Sequence, residues 1–404
     1  MSVPPTAARL GVTLLFVSLA MLAQRWQGWD DGLALGGMDA HSYEAMALAA
    51  PALLAPSSEE FPFHHAQRLT GPYVVGVLAR FLHMEVREMF AWASGACLLG
   101  AILLMHAAMN RLDLSPWALA ICMAMIVFHY SFRFYLVAVG MLPDALFILG
   151  LTLTLAGLVG VRLSVVLAGV LVAGLARQSV LLLIPGIAYW ILRSNAWEER
   201  SMAARILGTT AATLIAAAAY IGTGLVAEKF AGPSTNLESV TGFFSWLAGP
   251  DFSLEDLAIF VCYAAFPLMI PSAMLVADLW YAPRGGIGVR WSIEIAACLL
   301  MAATIVSQPL LGGPDYPQNG NAMRLAALAF APLALAVAMR LREFGRTSIL
   351  ASRALPVILL LGAGSLHYNY TLAGPRTQAE FAFVELAVAV LSAWWLFRRP
   401  APRT

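Results

Sequence analysis

The chain has 404 residues, of which 60% are hydrophobic and only 12% charged, with a mean hydropathy of +0.77 and a formal net charge of +1. Soluble domains carry about 25% charged residues, so a water-soluble enzyme is excluded, and without a basic run so is a nucleic-acid surface. The composition is that of an all-α polytopic membrane protein, a single transmembrane domain over residues 1–404 with no separate soluble domain.

The first apolar segment, "ARLGVTLLFVSLAMLAQRW", lacks an A-x-A cleavage site and reads as a retained span rather than a signal peptide. After it comes "GGMDAHSYEAMALAAP", which packs Asp39, His41, Ser42, Tyr43 and Glu44 into a chain otherwise made of Ala, Leu, Val and Ile. "FPFHHAQRLT" adds His64, His65 and Arg68, and "GPYVVGVLARFLHM" (71–84) is short for a span and carries Arg80 and His83. Residues 25–87 are therefore expected to form a first outer loop carrying interfacial helices.

At about 20 apolar residues per crossing, further spans are expected near 88–109, 116–132, 144–160, 203–228, 257–280, 291–311, 323–340, 355–368 and 381–397, after a first at 9–24. Residues 163–193 are apolar but interrupted by "ARQS"; as one helix they would be about 46 Å long, against a core of about 30 Å. A hairpin turning near Arg177 solves this. With 71–84 lying along the interface, it places most of the 24 Lys and Arg, but a minority of the 23 Asp and Glu, on one side. The positive-inside rule then gives about twelve spans (range about 10–13) with both termini cytoplasmic.

Ionisable groups at a membrane edge are costly and mark function by default. On this topology they gather on the outer face: Asp39, His41, His64, His65 and Arg68 in the first loop, Arg133 and Asp144 around the third and fourth spans, and Arg177 with Gln178 at the hairpin tip. Arg324 and His367 with its neighbouring tyrosines complete the set. Arg and His would hold a phosphate, and apolar helices the chain of a lipid. Each residue also has a plain structural reading. Asp39 and Asp144 can be helix-start carboxylates, Arg177 can snorkel, Asp144 can pair with Arg133, and the histidine pair can be interfacial. His83, His106 and His129, on apolar segments, are read as structural, and the four scattered cysteines as buried thiols. No cofactor and no metal ligand set are expected, with a divalent metal left open.

These features together resemble GT-C type integral membrane glycosyltransferases, bacterial members above all, which use polyprenyl-phosphate-linked sugars. Their first outer loop often carries Asp-Glu-x-Tyr-Tyr; "DAHSYEAMALAA" keeps Asp39 and Tyr43 at the first and fifth positions and has Ala40 and Ser42 at the second and fourth. "LPDALFILGLTLTLAGLVG" followed by "VLAGVLVAGLARQSVLLLIPGIAYWIL" looks like a recurrent pair in which Arg-Glu often stands where Arg177 and Gln178 do here. "NAMRLAALAFAPLALAVA" resembles their late Arg-containing span. The resemblance implies a GT-C-like fold in the bacterial cytoplasmic membrane, active on its outer face. It also implies an inverting transfer of a hexose or pentose from a polyprenyl-phosphate donor to a hydroxyl on a glycan, lipid or protein.

The general base would be Asp39, or second Asp144, with Asp30 and Asp31 as weaker competitors. Donor-phosphate contacts would come from Arg177, Arg68, His64, His65, Arg133 and Arg324, and the pocket from His41, Tyr43, Gln178 and His367. A transporter or lipid flippase, or another lipid-using transferase (a ligase, polymerase or acyltransferase), are the alternatives.

Overall fold

A computed structural model describes residues 5–27, 38–54, 62–231, 254–281, 292–308, 321–344, 349–366 and 375–397. The expectations placed on Asp30, Asp31 and His367 fall outside them. Every regular element among the described residues is helical. Six helices are long and apolar enough to cross a membrane, and seven shorter apolar ones accompany them. The chain is a polytopic membrane protein; a total of twelve spans would need all but one of the shorter helices to cross as well.

The exterior carries the apolar surface. Phe81, Trp92, Leu207 and Phe383 are each at least 70% exposed, whereas Arg133 and Arg177 rank among the largest fully buried side chains. Such an outer surface suits hydrocarbon, and the polar groups are collected inside, where they can satisfy one another.

Helix α1 (Pro5–Gln27) leads into α2 (Met38–Ala49), the four-residue α3 (Phe63–Ala66) and α4 (Thr70–Leu82), three short helices in what the sequence marks as the first loop. Then come α5 (Val86–Arg111), α6 (Pro116–Val127), α7 (Tyr130–Val137), α8 (Leu142–Val159), α9 (Leu163–Ala176), α10 (Ile184–Arg193) and α11 (Met202–Ala227). The last third holds α12 (Leu254–Ala265), α13 (Met269–Tyr281), α14 (Ile293–Val306), α15 (Asn321–Ala327), α16 (Phe330–Phe344), α17 (Ile349–Leu366) and α18 (Pro375–Phe397).

Three expected spans are interrupted. The 116–132 span stops at Val127 and restarts at Tyr130. The 257–280 span passes through a 3₁₀ turn, Phe266–Leu268, at Pro267, whose missing N–H cannot continue an α-helical ladder. The 323–340 span divides around Leu328 and Ala329. The break expected near Arg177 is present. Arg177 is extended (φ −155°, ψ 148°), and the 3₁₀ stretch Gln178–Leu183 follows it.

Side-chain contacts sort the helix ends into two levels. At one level Arg9 donates to Asn110 Oδ1 (3.3 Å), Trp197 Nε1 donates to the Leu158 carbonyl (3.3 Å) and Arg205 Nε donates to the Ile191 carbonyl (2.9 Å). Leu163 touches the Gly208 position at this level, so α9 starts where α10 ends. Residues 163–193 therefore run out and back, with Arg177 at the far turn. Near that other end of the bundle, late in α1, Gln24 accepts from Arg133 Nη2 (3.0 Å), and Asp144 sits in the first turn of α8.

Close packing of α8 on α9 fixes the distance between Asp144 and Arg177. A Cβ on Gly150 would overlap the backbone nitrogen of Ala173, so only glycine lets the two backbones approach this far. The same device seats α2 on α4, where a Cβ on Gly76 would overlap the Ala47 carbonyl.

Candidate active site

The site is assembled from helix ends at the Arg177 level. Helix α2 presents one face inward: Ser42, Tyr43, Met46 and Ala47 are buried, with Asp39 half-buried at its start. These positions follow the i, i+3, i+4, i+7, i+8 spacing of a single helical stripe. Asp39 lies in the first turn of α2 and Asp144 in the first turn of α8, where the helix dipole favours a carboxylate. Arg177 caps the carboxyl end of α9, where the dipole favours a cation.

Asp39 is held on both oxygens. His65 Nε2 donates to Oδ1 (2.9 Å); Arg324 Nη2 donates to Oδ2 (2.8 Å), with Arg68 Nη1 at 3.6 Å from the same atom. Arg68 Nη1 also donates to the Tyr43 hydroxyl (2.8 Å). The other imidazole nitrogen of His65 pairs with Ser42 Oγ at 3.1 Å, which makes a chain of hydroxyl, imidazole and carboxylate. Burial by itself would raise the pKa of Asp39. The His65 hydrogen bond and the charges of Arg324, His65 and Arg68 outweigh burial and hold the carboxyl far below its usual range.

Asp144 forms the second half. It pairs directly with Arg177 Nη1, accepts from the Tyr135 hydroxyl (3.3 Å) and lies 3.6 Å from Arg324 Nε. Arg324, which also reaches Met141 Sδ (3.0 Å), thus bridges the two carboxylates. Arg177 is fully buried, and its Nε and Nη2 have no hydrogen-bond partner among the described residues, as is also true of Nε on Arg68. Repulsion from Arg68 and Arg324 acts on Arg177, so the three guanidinium groups share one electrostatic neighbourhood. Three cations face two anions there.

Gln178 ties the hairpin tip to the first loop, donating to Gln67 Oε1 (2.5 Å) and to the His64 carbonyl (3.3 Å). His64 packs edge-on against His65. Burial, then the charge of Arg68, push its pKa down to about 3, so it stands here as a neutral imidazole.

The structure thus brings together Asp39, Tyr43, His64, His65, Arg68, Asp144, Arg177, Gln178 and Arg324. It does not bring in His41, which is exposed on the opposite side of α2 from Asp39 and Tyr43. Arg133 bonds Gln24, and the cation on Asp144 is Arg177 rather than Arg133. Of the histidines read as structural, His106 joins Thr13 to Asn110 and His129 stacks on Phe330, whereas His83 is exposed at the carboxyl cap of α4.

The sequence reading missed Ser42, Gln67, Tyr135 and Met141. For Ser42 the signal was present, three positions after Asp39 on the same stripe. Tyr135 and Met141 had none, since their approach depends on how α7 and α8 turn.

No family model matches the chain, and neither a curated protein nor a solved structure matches it. The functional reading rests on the site itself.

Proposed function

We propose that the protein is a glycosyltransferase that moves a sugar from a polyprenyl-phosphate donor to an acceptor hydroxyl at the outer face of the bacterial cytoplasmic membrane. The observation that carries this is the convergence of Arg68, Arg177 and Arg324 on Asp39 and Asp144 at one end of an apolar bundle. Surplus guanidinium charge with unsatisfied N–H groups, buried beside lipid-facing helices, matches a phosphate carried on a lipid.

In the reaction the acceptor oxygen attacks the anomeric carbon and its proton passes to Asp39. The bond from that carbon to the phosphate oxygen breaks, and the electron pair stays on the phosphate. Arg177, Arg324 and Arg68 hold the charge that grows there; fixed donors of this kind contribute several kcal/mol in a site that excludes water. Attack opposite the leaving group inverts the anomeric centre. The location at one end of the bundle favours this reading over a carrier, whose site would lie near the midplane.

The test is made in nanodiscs, with a panel of polyprenyl-phosphate sugars and a membrane extract as the acceptor source, following release of polyprenyl phosphate. Release by the unmodified protein and its loss in Asp39→Asn support the reading. Release by both would move the base to Asp144. Failure to release from any donor in a broad panel would count against the glycosyltransferase.

The Ser42–His65–Asp39 chain favours one second reading, an acyltransferase in which Ser42 Oγ attacks an acyl carbonyl and His65 takes its proton. His65 returns that proton to the donor's leaving group as that bond breaks, and an acceptor hydroxyl then takes the acyl group from Ser42. A fluorophosphonate probe would then modify Ser42 in the unmodified protein but not in His65→Ala. Absence of labelling removes this reading and leaves the first intact.

A further inference from the structure

Asp39 is assigned the base in the reading above, yet both oxygens of its carboxylate are engaged. Oδ1 accepts from His65, and Oδ2 is shared between Arg324 at 2.8 Å and Arg68 at 3.6 Å. A carboxylate clamped by two guanidinium groups is a poor proton acceptor, because taking a proton forfeits both ion pairs. The same two arginines are also donors of the kind that an incoming phosphate would need.

We propose that the donor phosphate displaces Asp39 from Arg324 and Arg68, so that loading the donor is itself the step that releases the carboxylate to act as base. The proposal rests on the lipid-linked-sugar reading and adds the order of events to it.

Three observations support the exchange. First, the site holds an excess of cation: three guanidinium groups against two carboxylates, with Asp144 committed to Arg177 and only approached by Arg324 at 3.6 Å. Second, Arg177 Nε and Nη2 and Arg68 Nε are buried without hydrogen-bond partners among the described residues. Buried donors left open are costly, and a phosphate with several acceptor oxygens satisfies more of them than a single carboxylate can. Third, Asp39 has a place to go. His65 holds its other oxygen at 2.9 Å and is itself anchored by Ser42 at 3.1 Å, so the carboxylate stays positioned after the arginines leave.

The charges then remain balanced through the reaction. The donor is a phosphate diester with one negative charge. As the bond to the sugar breaks, the phosphate gains a second charge while Asp39 takes the acceptor proton and loses its own. The arginines thus face the same total charge before and after transfer, but all of it now sits on the leaving group. Protonated Asp39 no longer competes for them until its proton departs.

Competition makes a prediction opposite to that of simple support. Binding of dioctyl phosphate, an amphiphilic diester with a single charge, is measured by titration calorimetry on protein in nanodiscs. Asp39→Asn, which is expected to lose turnover, should bind it about tenfold more tightly, or ~1.4 kcal/mol. Asp39→Ser serves as a second neutral variant should the first not fold, as checked by its thermal unfolding.

The gain should disappear when Arg324→Gln is added, since the competitor's target is then gone. Equal or weaker binding by the neutral variants overturns the exchange while leaving the anion site in place. A gain that survives Arg324→Gln at full size also overturns it, because Asp39 would then act only as a distant charge. No binding by any form removes the lipid-phosphate reading and the exchange together.

Discussion

Asp39 and Arg324 are 285 positions apart in the chain, yet Arg324 Nη2 stands 2.8 Å from Asp39 Oδ2. This contact joins the first loop to the last third of the bundle, and it is the closer of the two guanidinium contacts on Asp39. Removing one side of a buried pair strands the other, at about 3–5 kcal/mol when burial is complete and less for this partly exposed pair. Arg324→Gln should therefore lower the thermal midpoint more than the double variant with Asp39→Asn. A double variant whose loss equals or exceeds the sum of the singles would refute the coupling.

Arg177 and Asp144 are buried more deeply and make the sharper case. Arg177→Ala leaves Asp144 with only the more distant Arg324 and is expected to destabilise by about 3–5 kcal/mol. Arg177→Met with Asp144→Asn should recover folding, since an apolar replacement of a buried ion pair is often neutral. It should not recover release of polyprenyl phosphate. Recovery of both would mean that Arg177 serves structure alone.

His64 predicts a pH effect. Its folded pKa, about 3, lies below the ordinary 6.5, so between those values the unfolded chain binds a proton that the folded chain does not. Stability from this group is thus complete above about 6.5 and falls as the pH drops toward 3. Asp39, also depressed, has the same sign but acts only below its ordinary value of 3.8. Thermal midpoints measured between pH 7 and 5 should decline, and His64→Gln should flatten that decline. Asp39→Asn should leave the slope in this window unchanged; a flattened slope there would reassign the effect.

The close approach of α2 to α4 can be tested without touching a polar group. Gly76→Leu drives a side chain into the Ala47 backbone and should cost about 1–3 kcal/mol or more, as overpacking does. Because α2 carries Asp39, Ser42 and Tyr43 together, anion binding should weaken as well. His41→Ala, on the exposed side of the same helix, should change neither stability nor binding.

Much of this architecture was legible in the chain. Hydropathy marked the apolar segments, and the placement of arginines required a turn near Arg177, which the backbone makes. The first-loop residues Asp39, His65 and Arg68 could be grouped because they are close in sequence. Choosing His41 over Ser42 was an avoidable error: at 100° per residue, positions 39, 42, 43, 46 and 47 share a face and 41 does not.

The pairing of Asp144 with Arg177 rather than Arg133 was not legible, because it follows from the glycine contact that brings α8 onto α9. Nor was the bridge from Arg324 to both carboxylates. Residues so distant meet only through the packing of the whole bundle, and no local pattern encodes that.

The position of Arg324 late in the chain also sets the order in which the site is built. When the ribosome has passed Arg177, the nascent chain contains Arg68, Arg177, Asp39 and Asp144, two cations and two anions. At about 5–20 residues per second, roughly 7–30 s pass before Arg324 is made. The third cation of the site is therefore made last. A protein truncated before Arg324 would hold two guanidinium groups and two carboxylates, without the nearest partner of Asp39 and without a surplus to attract an anion.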